Sequence, residues 1–339
     1  MLNNLTCFAF TPEQIVFFGD SLSDNGNLYH LLLKIIPKSP PYFEGRFSNG
    51  PTWAENLGTY FYNQFYIDYK IYAYGGATAI LHTPTDKFIA PMTLENEINQ
   101  YTFDSIFKNK HAVLYAIWIG GNDYLFDATT NDIPSREILT NKVVAKIVWS
   151  IETLISQGAK HFLILNMPDL SFTPFAKTNG LVDKLHDLSV LHNRKLDAEM
   201  INLKNSYPKV QFTYIDIYKI LNELITDPGK FNDMYHVNIT DTVHACWEGG
   251  YTFARTIEEI NRDGNLNQLS RDSHFPLNGM IRYSPALAES FRVNLAFNRG
   301  LMPCNNADEY IFWDQIHPTK IVHYILAEYI LENLNLNIT

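Results

Sequence analysis

The stretch Gln14-Ile15-Val16-Phe17-Phe18-Gly19-Asp20-Ser21 decides the fold, because a short apolar run ends abruptly at a glycine that two small polar residues follow. A continuous apolar run of this length is typical of a strand in a parallel sheet that is covered on both faces. In open parallel sheets the functional residues collect at the carboxyl ends of the strands. Ser21 is therefore expected at the functional edge of a sheet.

The same pattern recurs along the chain, with helical patterns between the apolar runs. Alternating strand and helix units predict an α/β layered fold with right-handed crossovers. Further strands are predicted at 67–74, 112–119, 161–166 and 210–215. The clearest helices are predicted at 138–156, 184–205 and 316–334, the last with Pro318 in its first turn.

Two more of these strands end in glycine beside a small polar group. The second ends at Gly75-Gly76 and the third at Gly120-Gly121-Asn122-Asp123. Because the carboxyl ends of parallel strands meet at one edge, these residues are expected close to Ser21. The alternatives are a plain turn at Gly75-Gly76 and a helix cap at Asn122.

A single domain is predicted for residues 15–339. From about 241 to 307 the pattern becomes irregular, and we interpret this segment as a loop-rich excursion from the sheet and not as a second domain. Residues 1–14 are interpreted as an N-terminal segment. Its apolar part, Leu5 to Phe10, is too short for a complete signal-peptide core and lacks a basic flank, so the remnant of a leader is one of its interpretations.

Composition narrows the classes of partner. The chain of 339 residues is 46% hydrophobic and 18% charged, which is typical of a globular protein. Its net charge of −10 disfavours nucleic acid and offers no overall anchor to an anionic membrane, so peripheral membrane contact is expected to be apolar. Most of the 22 phenylalanines and 20 tyrosines are expected to fill the core.

The cysteines leave two alternatives open. Cys246 and Cys304 flank a segment rich in Gly, Asn, Ser and Pro, whereas Cys7 lies in the N-terminal segment. Their spacing does not fit a metal site and favours a disulfide that closes a long surface loop in an oxidising compartment. The alternative is two free thiols in a reducing cytoplasm. No HExxH or cysteine cluster is present, so neither a metal nor an organic cofactor is expected.

A base and an acid suitable for activating Ser21 occur late in the chain. His317 has Asp314 three residues before it and a proline directly after it, so a tight turn could point one imidazole nitrogen at the carboxylate and the other outward. The alternative is a pair of helix caps. For the oxyanion of an acyl-transfer reaction, the backbone N–H groups of Ser21 and Gly76 and the Asn122 amide are the candidate donors. The G-x-S-x-G elbow of α/β-hydrolases is absent, since Ser23 stands where its second glycine belongs.

These blocks resemble those of the GDSL, or SGNH, hydrolase family. Gly19 to Gly26 is similar to its block I, Gly76 to the block II glycine, Gly120 to Asp123 to the G-x-N-D of block III, and Asp314 to His317 to the D-x-x-H of block V. Two further stretches, 40–50 and 166–170, resemble the bacterial lysophospholipase A and glycerophospholipid:cholesterol acyltransferase branch. The cysteine-bracketed segment is similar to a disulfide loop of that branch.

The resemblance implies a flavodoxin-like three-layer sandwich with about five parallel strands. It implies a triad of Ser21, Asp314 and His317, and an oxyanion hole from Ser21, Gly76 and Asn122. It also implies a secreted or periplasmic enzyme that cleaves acyl esters of phospholipids or lysophospholipids, with a sterol as a further acyl acceptor. An activating protease is a separate expected partner, because the loop between Cys246 and Cys304 is predicted to limit access to the site.

Two other functions compete with this prediction. An enzyme of the same fold could deacylate carbohydrates or thioesters, and the chain could be a non-catalytic lipid-binding or adhesion module. The segment between Cys246 and Cys304 is further predicted to limit access of substrate, so that opening it by proteolysis or reduction raises activity.

Overall fold

The computed structural model describes residues 10–82, 92–128, 136–250, 293 and 300–334. The strands are β1 Gln14–Gly19, β2 Asp68–Ile71, β3 Val113–Trp118, β4 His161–Leu165, β5 Gln211–Ile215, β6 Asp241–Ala245 and β7 Tyr310–Phe312. The helices are α1 Asn27–Leu31, α2 Trp53–Phe65, α3 Leu94–Asp104, α4 Gly121–Ala128, α5 Arg136–Ser156, α6 Pro174–Thr178, α7 Val182–Ser206, α8 Ile217–Thr226, α9 Pro228–Tyr235 and α10 Lys320–Asn333.

Five strands form one sheet in the order β2-β1-β3-β4-β5, and every neighbouring pair is parallel. Alternate residues of β1 enter different cores: Val16 and Phe18 pack on one face, and Ile15 and Phe17 on the other. All four side chains are fully buried, which accounts for the uninterrupted apolar run from Ile15 to Phe18.

Helices cover both faces of this sheet. Buried residues of α3, α5 and α7 complete one core, and buried residues of α2, α8, α9 and α10 complete the other. Each fully buried aliphatic or aromatic side chain contributes about 1.5–3 kcal/mol relative to exposure. The predicted flavodoxin-like three-layer sandwich with five parallel strands is confirmed.

A small second sheet is formed by the two ends of the segment that was predicted to be a loop-rich excursion. β6 pairs in parallel with β7, so the chain is regular at 241–245 and returns to regular structure at 310. Most of the excursion, at 251–292 and 294–299, lies outside the described residues. The predicted N-terminal segment lies outside them up to residue 9.

The prediction that the last helix begins at Ile316 is wrong, because α10 begins at Lys320. The backbone before it bonds to other elements: Thr319 N–H donates to the Ile311 carbonyl at 2.9 Å, and Ser48 Oγ donates to the Pro318 carbonyl at 2.9 Å. These contacts keep Pro318 outside the helix. Across the described residues, every helix is too short or too polar to cross a membrane.

Candidate active site

Ser21 lies in a turn directly after β1, at the carboxyl edge of the sheet. A Cβ atom at Gly19 would lie 2.4 Å from the Trp118 carbonyl oxygen, so only glycine allows the chain to turn this close to β3. The Asp20 carbonyl then accepts the Ser23 and Asp24 N–H groups at 3.0 and 2.9 Å. The sequence Gly-Asp-Ser therefore places a 7% exposed serine at the tip of the first strand.

Asp24 joins this turn to the next strand end. Its buried carboxylate accepts the backbone N–H groups of Gly26, Asn27, Leu28 and Gly75 at distances between 2.6 and 3.1 Å. Burial raises its pKa to about 6, and the four N–H donors oppose that rise. Asp24 thus stabilises together the start of α1 and the turn that follows β2.

The structure brings Ser21, His317 and Asp314 into one chain of contacts. Ser21 Oγ lies 2.9 Å from His317 Nε2, and His317 Nδ1 lies 2.9 and 3.0 Å from the two carboxylate oxygens of Asp314. All three are buried, with Asp314 fully so. In the tautomer these contacts favour, Nδ1–H donates to Asp314, and Nε2 accepts the Ser21 proton.

A tight turn presents the histidine, as its spacing predicted. Asp314 Oδ1 accepts the N–H groups of Ile316 and His317 at 2.9 and 2.8 Å, and Trp313 N–H donates to the His317 carbonyl at 2.8 Å. The Phe47 ring packs on the imidazole with 5.0 Å between centroids. The imidazole is therefore fixed before any substrate binds, which is the preorganisation that proton transfer requires.

Tyr42 contacts this turn, and sequence reasoning did not find it. Its hydroxyl donates to Asp314 Oδ2 at 2.5 Å, and its ring packs edge-on against Trp247 and Trp313. A Cβ atom at Gly250 would meet Asp314 Cβ at 2.6 Å and the Tyr42 hydroxyl at 2.9 Å, so the backbone there packs closely on both side chains. Tyr42 falls in the stretch 40–50 that resembled the lysophospholipase branch, but its partner is 272 residues away.

Two of the candidate oxyanion donors, Gly76 and Asn122, are held through one loop. Gly76 has φ +77° in a turn closed by the Ala77 N–H and the Tyr74 carbonyl at 3.0 Å. Asn122, in the first turn of α4, donates one amide hydrogen to the Ala77 carbonyl at 2.7 Å, which leaves its second amide hydrogen for another acceptor. Asn122 and Ser21 line the same pocket, whereas Gly76 does not line it.

Asp123 has a structural role that the sequence analysis did not assign. Its fully buried carboxylate accepts the N–H groups of Ala79 and Ile80 at 2.8 and 3.2 Å and lies 2.8 Å from His82 Nε2. Asn122 and Asp123 together therefore fix the loop that follows Gly76. The acidic residue directly after Asn122 was the available signal.

Buried acids and bases surround the candidate site. Burial raises the pKa of Asp20 to about 7, opposed mainly by the Leu22 N–H that it accepts and by His317. Glu97 accepts the Gly19 N–H at 2.9 Å, and burial raises its pKa well above the usual range.

A buried base lies on α10. His323 accepts the Trp53 N–H, and burial together with the nearby His317 lowers the pKa of His323 to about 3. His323 is therefore neutral and joins α10 to α2 beneath the site.

An apolar pocket, partly open to solvent, adjoins Ser21 and His317. It runs between the sheet edge and the helices of one face. Its far walls are built by Leu221 and Ile225 of α8, Ile311 and Phe312 of β7, and Val322 and Leu326 of α10. This lining fits an apolar ligand whose reacting group lies beside Ser21 and His317.

A disulfide joins Cys246 and Cys304 next to the turn that carries His317. Cys246 and Trp247 N–H groups donate to the carbonyls of Phe312 and Trp313 at 2.9 and 2.8 Å. Trp247 Nε1 donates to the Leu301 carbonyl at 2.8 Å, which ties in the second arm of the loop. Within the described residues, no group of three His, Cys, Asp or Glu side chains could ligate a metal.

The chain is similar to several known proteins. A scan of protein families matches GDSL-like lipase/acylhydrolase over residues 15–330. The phosphatidylcholine-sterol acyltransferase of Aeromonas hydrophila is 30% identical over 93% of this chain and 88% of its own length. The secreted effector protein SseJ of Salmonella typhimurium is 31% identical over 64% of this chain and 50% of its own length. Among solved structures, a GDSL-like lipase from Parabacteroides merdae aligns with a TM-score of 0.36 at 14% identity, covering 84% of this chain and 98% of its own.

Proposed function

The chain belongs to the GDSL-like lipase/acylhydrolase family, and from that premise we propose that it cleaves acyl esters of phospholipids or lysophospholipids through an acyl-enzyme on Ser21. The observation that carries the proposal is the contact chain from Ser21 through His317 to Asp314, which opens into an apolar pocket. Acyl transfer requires a nucleophile, a base and an acidic group that orients the base, and Ser21, His317 and Asp314 are residues of these types.

In the proposed reaction His317 Nε2 takes the Ser21 proton while Ser21 Oγ attacks the ester carbonyl. The Ser21 and Gly76 N–H groups and the free Asn122 amide hydrogen are the proposed donors to the oxyanion; losing one such donor typically costs about 3–4 kcal/mol. His317 then gives the proton to the departing alkoxide, and Asp314 stabilises the imidazolium. Water or another alcohol resolves the acyl-enzyme.

The pocket supports a lipid substrate over a small polar one. Its far walls are aliphatic and aromatic, so an acyl chain would remove apolar surface from water there, whereas an acetylated sugar would leave its hydroxyl groups without partners. This favours a lipid esterase over the carbohydrate esterase. Filling the pocket by Ile225→Trp should lower kcat/KM for long-chain esters about 10-fold or more and leave that for butyrate esters unchanged.

Transfer to an alcohol is the second part of the proposal. The Aeromonas hydrophila relative that covers 93% of this chain is a phosphatidylcholine-sterol acyltransferase, which supports a sterol as acceptor in this chain too. Water and sterol would compete for the same acyl-enzyme. The ratio of fatty acid to sterol ester therefore measures how well the site excludes water.

We also propose a secreted or periplasmic location. The Cys246–Cys304 disulfide supports an oxidising compartment, and one relative is a secreted effector protein. Activation by a protease remains a prediction, since the segment to be cut, mostly within 251–299, lies outside the described residues.

One experiment tests the function directly: incubation with phosphatidylcholine, with and without cholesterol, followed by identification of the products. We expect free fatty acid alone, and sterol ester when cholesterol is present. Ser21→Ala should abolish both products. Ser23→Ala is the matched control, because Ser23 Oγ accepts the Trp53 indole N–H at 3.1 Å and does not contact His317. Full activity in Ser21→Ala would refute the esterase and favour a binding module.

A further inference from the structure

The segment after α1 exposes a group of large apolar side chains that the proposed reaction does not use. Leu31, Leu33 and Ile35 are 52%, 83% and 45% exposed. We call residues 31–35 the leucine tip. Solvent-exposed apolar side chains that cluster in this way mark interaction surfaces more often than singly scattered ones do.

The leucine tip is a built turn. Leu33 and Lys34 both have positive φ, 53° and 65°, which non-glycine residues rarely adopt. The N–H groups of Leu33, Lys34 and Ile35 donate to the carbonyls of His30, Tyr29 and Leu32 at 3.2, 2.6 and 3.1 Å. The flanking Leu28 and Ile36 are fully buried in the small core that contains Tyr42, Trp247 and Trp313. The fold thus points the other three apolar side chains at solvent and fixes them there.

The leucine tip lies at the edge of the sheet where Ser21 lies. The helix before it starts at Asn27, whose N–H bonds to Asp24, three residues after Ser21. The chain after it reaches Tyr42, which contacts Asp314. Both ends of the leucine tip are therefore bonded to elements of the candidate site.

A second apolar group provides a comparison at the other edge. Phe103, Ile106 and Phe107 are 79%, 60% and 101% exposed, and their segment leads into Val113, the first residue of β3. It therefore lies at the amino ends of the strands. The six residues of β3 separate the two edges by about 17 Å. A surface bound through Phe107 would face away from Ser21.

Local charge distinguishes the leucine tip from the rest of this acidic chain. Between Asp24 and Glu44 the sequence contains Lys34, Lys38 and His30 but no acidic residue, although the chain carries a net charge of −10. Lys34 is exposed within the apolar group itself. A basic residue among exposed leucines complements a bilayer surface, in which anionic head groups cover apolar acyl chains.

We propose that the leucine tip docks on the surface of an anionic phospholipid bilayer and so orients Ser21 towards its lipid substrate; this rests on the proposed function. Leu31, Leu33 and Ile35 withdraw from water among the acyl chains, and Lys34 pairs with anionic head groups. The docked surface then faces the carboxyl edge of the sheet, where the pocket opens.

The test measures binding to vesicles of phosphatidylcholine with phosphatidylserine, using Ser21→Ala protein so that the vesicles stay intact. Adding Leu31→Ser, Leu33→Ser and Ile35→Ser together should weaken binding by about 10-fold or more. The matched control combines Phe103→Ser, Ile106→Ser and Phe107→Ser and should bind as before. Equal binding by both triple variants, or a loss confined to the control, would overturn the proposal.

Lys34→Gln tests the anionic part separately. Binding to the mixed vesicles should fall about 5-fold, and binding to pure phosphatidylcholine should not change. An equal effect on both vesicle types would refute an anionic surface.

A turnover measurement separates docking from catalysis. In an otherwise wild-type chain, the leucine-tip triple variant should keep turnover of the soluble p-nitrophenyl butyrate and lose turnover of vesicle lipid. Docking without any phospholipid cleavage would refute the proposed function alone, whereas cleavage that is independent of the tip would refute docking alone.

Discussion

The Tyr42 hydroxyl donates to Oδ2 of Asp314 across 272 residues of sequence, so that the carboxylate facing His317 is held from a loop near the start of the chain. Both side chains are almost fully buried. Asp314 Oδ1 already accepts two backbone N–H groups, and Tyr42 supplies the hydrogen bond to the other oxygen. The direction in which Asp314 faces the imidazole thus depends on contacts from both ends of the chain.

Tyr42→Phe removes this hydrogen bond with little change of shape. A hydrogen bond to a charged group contributes about 1.5–3 kcal/mol, so we expect kcat to fall about 10-fold at unchanged KM. The measurement is steady-state kinetics on a soluble ester, with thermal unfolding in parallel. Tyr101→Phe makes the same chemical change at a buried hydroxyl pair with Tyr115, away from the site, and should leave kcat unaltered. Equal kcat values for the two variants would show that Asp314 is held without Tyr42.

Asn122→Ala tests the proposed oxyanion donor. Loss of one such donor is expected to lower kcat by about 10²–10³. Because Asn122 also bonds to the Ala77 carbonyl, a control must loosen the same loop without touching the pocket. Thr78→Val does so, since Thr78 Oγ1 donates to the Ile80 carbonyl at 2.7 Å. If Thr78→Val slows the enzyme as much as Asn122→Ala, the asparagine acts by positioning the loop and not as a donor.

The sheet could be predicted from sequence because its strands are buried on both faces. The apolar runs at Ile15 to Phe18 and Val113 to Trp118 have one interpretation once helical patterns separate them. The rule that parallel strands end at one edge then grouped Ser21 with Asn122, and the three-residue spacing of Asp314 and His317 predicted their turn.

Contacts that depend on the tertiary structure could not be predicted in this way. Nothing near Tyr42 in the sequence indicates that its hydroxyl meets Asp314. The acidic residue after Asn122 was visible, but the sequence does not identify the N–H groups of Ala79 and Ile80 as its partners. The prediction that α10 begins at Ile316 was wrong for the same reason. Pro318 suits a first helical turn, but hydrogen bonds to β7 and Ser48 outweigh that local preference.

The sequence predicted that opening the loop by proteolysis or by reduction raises activity, but the backbone contacts of Cys246 and Trp247 now predict different effects for the two treatments. Cys246 and Trp247 bond to the backbone that leads into Asp314, so Cys246→Ser with Cys304→Ser is expected to destabilise the fold by about 2–4 kcal/mol and to lower kcat. Limited proteolysis within 251–299 leaves that pairing intact and is predicted to raise activity. Denaturant unfolding and kinetics on both samples compare the two treatments. Higher activity after reduction would show that the disulfide serves only to close the loop.

His192 should make the fold sensitive to acid. It is fully buried, accepts the Tyr124 hydroxyl at 2.6 Å, and burial lowers its pKa from 6.5 to about 3. Between these values the unfolded chain binds a proton that the folded chain does not. The contribution of His192 is therefore complete above pH 6.5 and is lost, by about 1.4 kcal/mol per pH unit, as the pH falls towards 3.

The pH dependence of the wild-type free energy of unfolding would not by itself reveal the contribution of His192, because Asp20 and Asp24 change the stability in the opposite direction. Burial raises their pKa values to about 7 and about 6, so the folded chain binds their protons first and gains stability as the pH falls. A comparison with His192→Gln cancels the contributions of Asp20 and Asp24, which both proteins share. Glutamine can still accept the hydrogen bond from the Tyr124 hydroxyl. The stability advantage of the wild type over the variant should be constant above pH 6.5 and shrink below it, as measured by urea unfolding at several pH values. An advantage as large at pH 5 as at pH 8 would mean that the buried imidazole is protonated in the folded state as readily as in the unfolded chain.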